Sequence, residues 1–171
     1  ISGGRLDLGM ARAFLPHEFE AFGISFDESV ARFDEGSAQI RRLLEEENVT
    51  MEGRFHGFKN VTSLPRPTQK PRPQFWTAAF QTAQSFEKAG RTGHWIMAIP
   101  IAGGAMRELC EIYRSAWREA GHPGRGRVML AFHMLCDKNR EDAHRVAREP
   151  LNRYLKSLVD ADHDGAADSY G

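Results

Sequence analysis

Apolar positions along this chain fall into short blocks whose spacing switches between two and three-to-four residues. Residues 5–10 (RLDLGM) read as a short strand. The run 25-SFDE-28 has the Ser-x-x-Glu form of a capping box and predicts a helix start there. Val30, Phe33, Ser37, Ile40 and Leu44 then recur at helical spacing, with charges on the opposite face. That helix runs into Glu45-Glu46-Glu47, which is unfavourable at a helix C-terminus and leaves the boundary open. Residues 49–64 alternate and carry glycines, as in a short hairpin. Next, 65-PRPTQKPRP-73 places four prolines in nine residues, a stiff connector unable to donate ladder hydrogen bonds.

The connector leads into 74-QFWTAAF-80, read as a buried strand. A helix is expected from about Thr82 to Ala89, stopped at Gly90 or Gly93, and then a strand, 94-HWIMAIP-100. The pair Gly103-Gly104 opens a helix with Met106, Leu109, Cys110, Tyr113, Ala116, Trp117 and Ala120 on one stripe, ended by Gly121 and Pro123. A fourth strand is expected over 127–136 (RVMLAFHMLC). A final helix starts near Asn139, and Pro150 is expected to kink it or restart it as 151–159. Strands alternating with helices, each strand apolar on both sides, predict a parallel sheet covered by helices. Four strand-helix units amount to half of an eight-unit (β/α)8 barrel, which spans ~250 residues. The alternative is an open doubly wound sheet, but its Gly-rich phosphate loop after the first strand is missing.

At 171 residues the chain suits one domain, residues 1–171. Lys plus Arg and Asp plus Glu both number 23. A balanced charge argues against nucleic-acid or membrane-surface binding driven by a basic excess. No apolar run reaches bilayer length, and Cys110 and Cys136 match no metal or redox spacing. A soluble cytoplasmic setting is expected. Ile1-Ser2-Gly3-Gly4 leads straight into the first strand, and 160-DADHDGAADSYG-171 is polar and closes nothing, so both ends read as cut from something longer.

In parallel α/β proteins chemistry gathers where loops leave the carboxyl ends of strands. Here those loops begin near Ala11, Phe80, Pro100 and Cys136. Arg12 follows the first strand, and two uses are open: a planar clamp for phosphate or carboxylate, or a salt bridge to Glu18 or Glu20. Thr82 and Ser85 lie three apart at a helix start, where free N–H groups and the helix dipole favour an anion. Ordinary N-capping by Thr82 is the competing use. A phosphate shared between Arg12 and this pair is the better reading of the two together. His133 is expected to be a core histidine inside the fourth strand. His17 and His94 lie near strand ends without an implied carboxylate partner. His56, His122, His144 and His163 lack metal spacing, and 160-DADHDG-165 lacks the downstream Glu of a calcium loop.

Several blocks occur in order: GRLDLGMAR, PHEFEAFGISFDES, RFDE, EGRFHGF, LPRPTQKPRPQFWTAA and SFEKAGRTGHWIM, with REDAHRVARE further on. In these the chain resembles the luciferase-like monooxygenase family of flavin-dependent TIM barrels. The resemblance implies that the four units are the fourth to seventh of the barrel, with the first three strands and the eighth absent. It implies that Arg12 binds the flavin phosphate together with Gln81, Thr82 and Ser85, and that Ala11 lies close to the isoalloxazine ring. Ala11 stands where the luciferases have cysteine, so light emission is not implied. Phe80-Gln81-Thr82 also departs from the Ser-rich or acidic loops common in the family.

The implied activity is a monooxygenase that uses reduced FMN and O2 on a small organic substrate. A flavin reductase would supply the FMN, and the protein would be a homo-oligomer. The same fold family also uses the deazaflavin F420, an alternative this segment leaves open. No catalytic residue is assigned, because the family's histidine would lie in the absent part. A second class of reading is a non-catalytic piece that associates only with a partner.

Overall fold

A computed structural model describes residues 2–13, 15–100 and 104–161, with side chains to residue 157. Gly103, and residues 162–165 of the acidic run, lie outside the described residues. The strands are β1 (Leu8–Met10), β2 (Val49–Glu52), β3 (Gly57–Val61), β4 (Phe75–Ala79), β5 (Trp95–Ala98) and β6 (Val128–Leu130). The α-helices are α1 (Pro16–Ala21), α2 (Ser29–Glu45), α3 (Ala83–Thr92), α4 (Ala105–Glu119) and α5 (Arg140–Ala161). Four strands form one parallel sheet in the order β1-β4-β5-β6. That order follows the chain without reversal, as in a barrel wall; a doubly wound sheet reverses at its switch point.

Register separates the sheet into two faces. Leu8 pairs with Phe75, Thr77 with Ile96, Ala79 with Ala98, and Ile96 and Ala98 with Val128 and Leu130. This face carries the core. Ile96 and Ala98 pack with Phe86 and Ala89 of α3 and with Met106, Leu109, Tyr113 and Trp117 of α4. The alternate row holds Gly9, Trp76, Ala78, Trp95, Met97 and Met129 on the opposite face. There Trp76 and Trp95 meet edge to face at 5.0 Å, and Trp76 Nε1 donates to the Asp7 carboxylate at 3.0 Å. Gly9 lies close under Met97 on this face: a Cβ there would stand 3.1 Å from Met97 Cε, the flexible tip of that side chain.

The Gly90 backbone lets α3 and α4 touch. A Cβ at this position would lie 2.5 Å from the Tyr113 carbonyl and 2.8 Å from Ala116 Cβ. α3 therefore continues through Gly90 to Thr92 and stops at Gly93, whose φ of 73° suits glycine. The hairpin expected over 49–64 is present as antiparallel β2 and β3. The Pro-rich connector does more than span a gap. Arg66 donates to the carbonyls of Leu43 and Leu44 at 2.7 and 3.0 Å, which satisfies the last turn of α2. Arg72 and Arg66 also pair with Glu45 and Glu47, so the acidic end of α2 is neutralised from outside the helix.

Three expectations are corrected. The capping box is not formed: residues 26–28 make a 3-10 turn, Ser25 makes no side-chain cap bond, and α2 starts at Ser29. Glu28 instead pairs with Arg32 and Arg54. Ahead of that turn, 16-PHEFEA-21, to which the sequence pattern assigned no element, is a short helix opened by Pro16, with Phe19 buried edge-on against Phe26. The fourth strand is shorter than expected, because pairing ends at Leu130 apart from one bond from the Ala131 N–H to the Ala98 carbonyl. His133 consequently is not a core residue; it is exposed and stacks on Tyr154 at 4.8 Å. Of the two courses expected at Pro150, the restart does not occur: α5 runs as one helix with Pro150 inside it. Among the described residues no helix is long and apolar enough to cross a membrane.

Candidate functional site

β1 and β4 are parallel neighbours, with Met10 paired to Thr77, so the segments after them leave the same edge of the sheet side by side. A cavity of about 620 Å³ opens there, within the range of small-ligand pockets. Ala11 and Arg12 border it from the β1 exit and Phe80 from the β4 exit. α2 presents Val30, Phe33, Asp34, Ser37 and Arg41, one helical face at steps of three and four residues. α3 presents Ser85, Lys88 and Thr92 on its matching face. Three cations, Arg12, Arg41 and Lys88, thus line the cavity against one carboxylate, Asp34.

Each polar group here is held by a specific contact. Arg12 Nη1 donates to Ser29 Oγ at 3.1 Å. Ser29 is buried, 5% exposed, in the first turn of α2. Thr82 occupies the N-cap position of α3, yet its hydroxyl makes no cap bond and donates to Ser85 Oγ at 2.8 Å. The two hydroxyls predicted to work together are therefore joined, with Ser85 on the cavity wall and Thr82 behind it. Gln81 is exposed and does not line the cavity. Lys88 Nζ bridges to the Asp34 carboxylate and ties α3 to α2 across the opening.

At the far end lies His94, buried and hydrogen-bonded through Nδ1 to Thr77 Oγ1 at 2.8 Å. Burial first, and then the charges of Arg72, Arg41 and His122, lower its pKa to about 4. The ring is neutral at pH 7 and packs edge-on against Phe75. Sequence reasoning missed Lys88 and His94 as parts of this cavity, and Ser29 as the residue that holds Arg12 beside it. Lys88 could have been found from its three-residue spacing to Ser85. Ser29 and His94 could not, because their surroundings come from elements distant in the chain.

A family model described as luciferase-like monooxygenase matches residues 1–170. The chain belongs to this family. Among its luciferase-like relatives is the oxygenase component of a flavin-dependent trigonelline monooxygenase from Acinetobacter baylyi. It is 31% identical over 153 residues, covering 87% of this chain and 42% of that protein. The crystal structure of monooxygenase RslO1 from Streptomyces bottropensis is 41% identical with a TM-score of 0.81, covering 98% of this chain and 53% of that one. The oxygenating constituent of 3,6-diketocamphane monooxygenase from Pseudomonas putida, solved in complex with FMN, has a TM-score of 0.73 at 21% identity. That match covers 98% of this chain and 51% of the other, and shows the fold. An F420-dependent secondary alcohol dehydrogenase also shares the fold, with a TM-score of 0.63 at 17% identity over 74% of this chain and 39% of that one. The chain spans about half the length of the luciferase-like proteins it matches, in keeping with four parallel strands of an eight-stranded barrel.

Proposed function

We propose that the chain carries the phosphate-binding side of a flavin-dependent monooxygenase that acts on a small organic substrate with reduced FMN and O2. The observation that carries this reading is the cavity at the β1 and β4 exits, lined by Arg12, Lys88 and Arg41 and by the Ser85 hydroxyl that Thr82 holds. These residues fit a flavin phosphate. The cations exceed the carboxylate, and a guanidinium offers a planar fork to phosphate oxygens. The hydroxyls sit at the N-terminus of α3, where the helix dipole favours negative charge. Ala11 and Phe80 supply apolar wall beside them. Gln81, exposed and outside the cavity lining, has no part in this reading.

When bound and reduced, the flavin supplies the oxygen chemistry, and the protein contributes binding, orientation and exclusion of water. A separate flavin reductase would deliver the reduced cofactor, in line with the relative named as an oxygenase component. FMN is preferred to F420 because the relatives at 31% and 41% identity are named monooxygenases, whereas the F420-dependent dehydrogenase is alike in fold alone. The test is a titration of FMN into this chain and into its Arg12→Ala variant, read by quenching of flavin fluorescence. Loss of a charge-assisted contact is expected to weaken binding by at least about tenfold. Equal affinity in the two proteins would overturn the phosphate role.

A further inference from the structure

The hydroxyl of Ser29 is a buried polar group whose presence helix formation does not explain. Ser29 opens α2, yet the N-cap position belongs to Glu28, which makes no side-chain cap bond and spends its carboxylate on Arg32 and Arg54. The partner that satisfies the Ser29 Oγ is Arg12 Nη1, 17 residues away at the exit of β1. Resting on the flavin-phosphate reading above, we infer that Ser29 is a positioning residue that orients the Arg12 guanidinium toward the anion, through the Ser29 Oγ–Arg12 Nη1 hydrogen bond.

Three physical points support this. An arginine side chain loses about 2 kcal/mol of rotamer entropy when ordered, and a fixed hydroxyl at one nitrogen removes part of that loss before the anion arrives. A guanidinium has five N–H donors, so a bond at one Nη leaves enough for a bidentate contact elsewhere. And the hydroxyl itself is fixed. Ser29 is 5% exposed, and the α2 start that carries it is fastened by Glu28 to Arg54 at 3.0 Å. Arg32 and Arg54 lie 4.2 and 4.8 Å from the centre of the Phe55 ring, which holds the β2–β3 loop to the same turn. The position of Arg12 is thereby coupled to a hairpin outside the barrel wall.

The experiment compares FMN with riboflavin, which has the ring system but no phosphate, in the wild-type chain and in Ser29→Ala, Ser29→Thr and Arg12→Ala. Ser29→Ala is expected to weaken FMN roughly threefold to tenfold, the worth of one hydrogen bond, and to leave riboflavin affinity unchanged. Ser29→Thr, which keeps the hydroxyl, is expected to restore FMN binding. If Ser29→Ala weakens FMN and riboflavin alike, or leaves FMN untouched while Arg12→Ala weakens it, the positioning role is wrong and the phosphate reading stands. If Arg12→Ala also binds FMN as wild type does, the phosphate reading itself falls.

Discussion

At the scale of single residues, the buried histidine makes the sharpest claim about solution behaviour. His94 has a folded pKa of about 4, lowered by burial first and by Arg72, Arg41 and His122 after it, against ~6.5 in an unfolded chain. Between those values the unfolded chain binds a proton that the folded one refuses. Stability contributed by neutral His94 is therefore full above pH ~6.5 and is lost as the pH falls toward ~4, by an amount on the order of 3 kcal/mol. A His94→Gln variant, which keeps a hydrogen-bonding group for Thr77, is expected to lose this slope. Urea midpoints measured from neutral pH down to about pH 4 would show it; a variant with the wild-type slope would refute the assignment. Glu35 adds a separate loss at lower pH. Desolvation raises its pKa, but hydrogen bonds from the N–H groups of His56, Phe55 and Arg54 outweigh that and hold it below 4.5. Its contribution is present above that value and disappears as the pH falls beneath it. Arg12 was visible in the sequence as a cation at a strand exit. His94 was not, since what holds its ring is β4, with Phe75 edge-on and the Thr77 hydroxyl at Nδ1 from 17 residues away.

At the scale of elements, the contact between α3 and α4 depends on one missing side chain. Adding a methyl group at Gly90 pushes it into the Tyr113 carbonyl and Ala116 Cβ, backbone and short side chain that cannot swing aside. Gly90→Ala is expected to destabilise the protein by about 1–3 kcal/mol despite alanine's higher helix propensity. Chemical denaturation measures this directly, and an unchanged or raised midpoint would mean that the two helices can separate at no cost. In the sequence Gly90 looked like a possible helix end, because composition cannot distinguish a stop from a close approach. β4 and β5 were legible for the opposite reason: runs such as 75–79 and 95–98 are apolar on both sides and need no partner to identify them. The over-long fourth strand came from the same rule. Residues 131–136 (AFHMLC) continue the apolar pattern, but the neighbouring strand β5 ends at Ala98 and offers nothing further to pair with. α2 was correct in existence and offset in face. Its cavity side is Val30, Phe33, Asp34, Ser37 and Arg41, while Ile40 of the expected stripe is exposed.

At the scale of the whole molecule, strand order in chain sequence, with no switch point among the described strands, agrees with a barrel wall, and the matched structures decide for it. The same order leaves work for a partner. Among the described residues β1 and β6 each pair on one side only, so both edges present unused backbone donors and acceptors. Beside the β6 edge, Phe132, Met134 and Leu135 are exposed, Met134 at 85%. The row opposite the core carries Trp76, Trp95, Met97 and Met129, of which Met129 is exposed. An unpaired parallel edge flanked by apolar side chains promotes association; in the isolated 171-residue chain a second copy, which offers the complementary edge of β1 to β6, can take the place that further strands hold in the longer proteins it matches. Sedimentation or size-exclusion measurements over a concentration series are expected to find species larger than the 19.3 kDa monomer. Phe132→Lys and Met134→Lys, made together, should shift that distribution toward the monomer, because a charge beside the edge makes pairing costly. A wild-type chain that stays monomeric at every concentration and unfolds cooperatively would refute self-association through these edges.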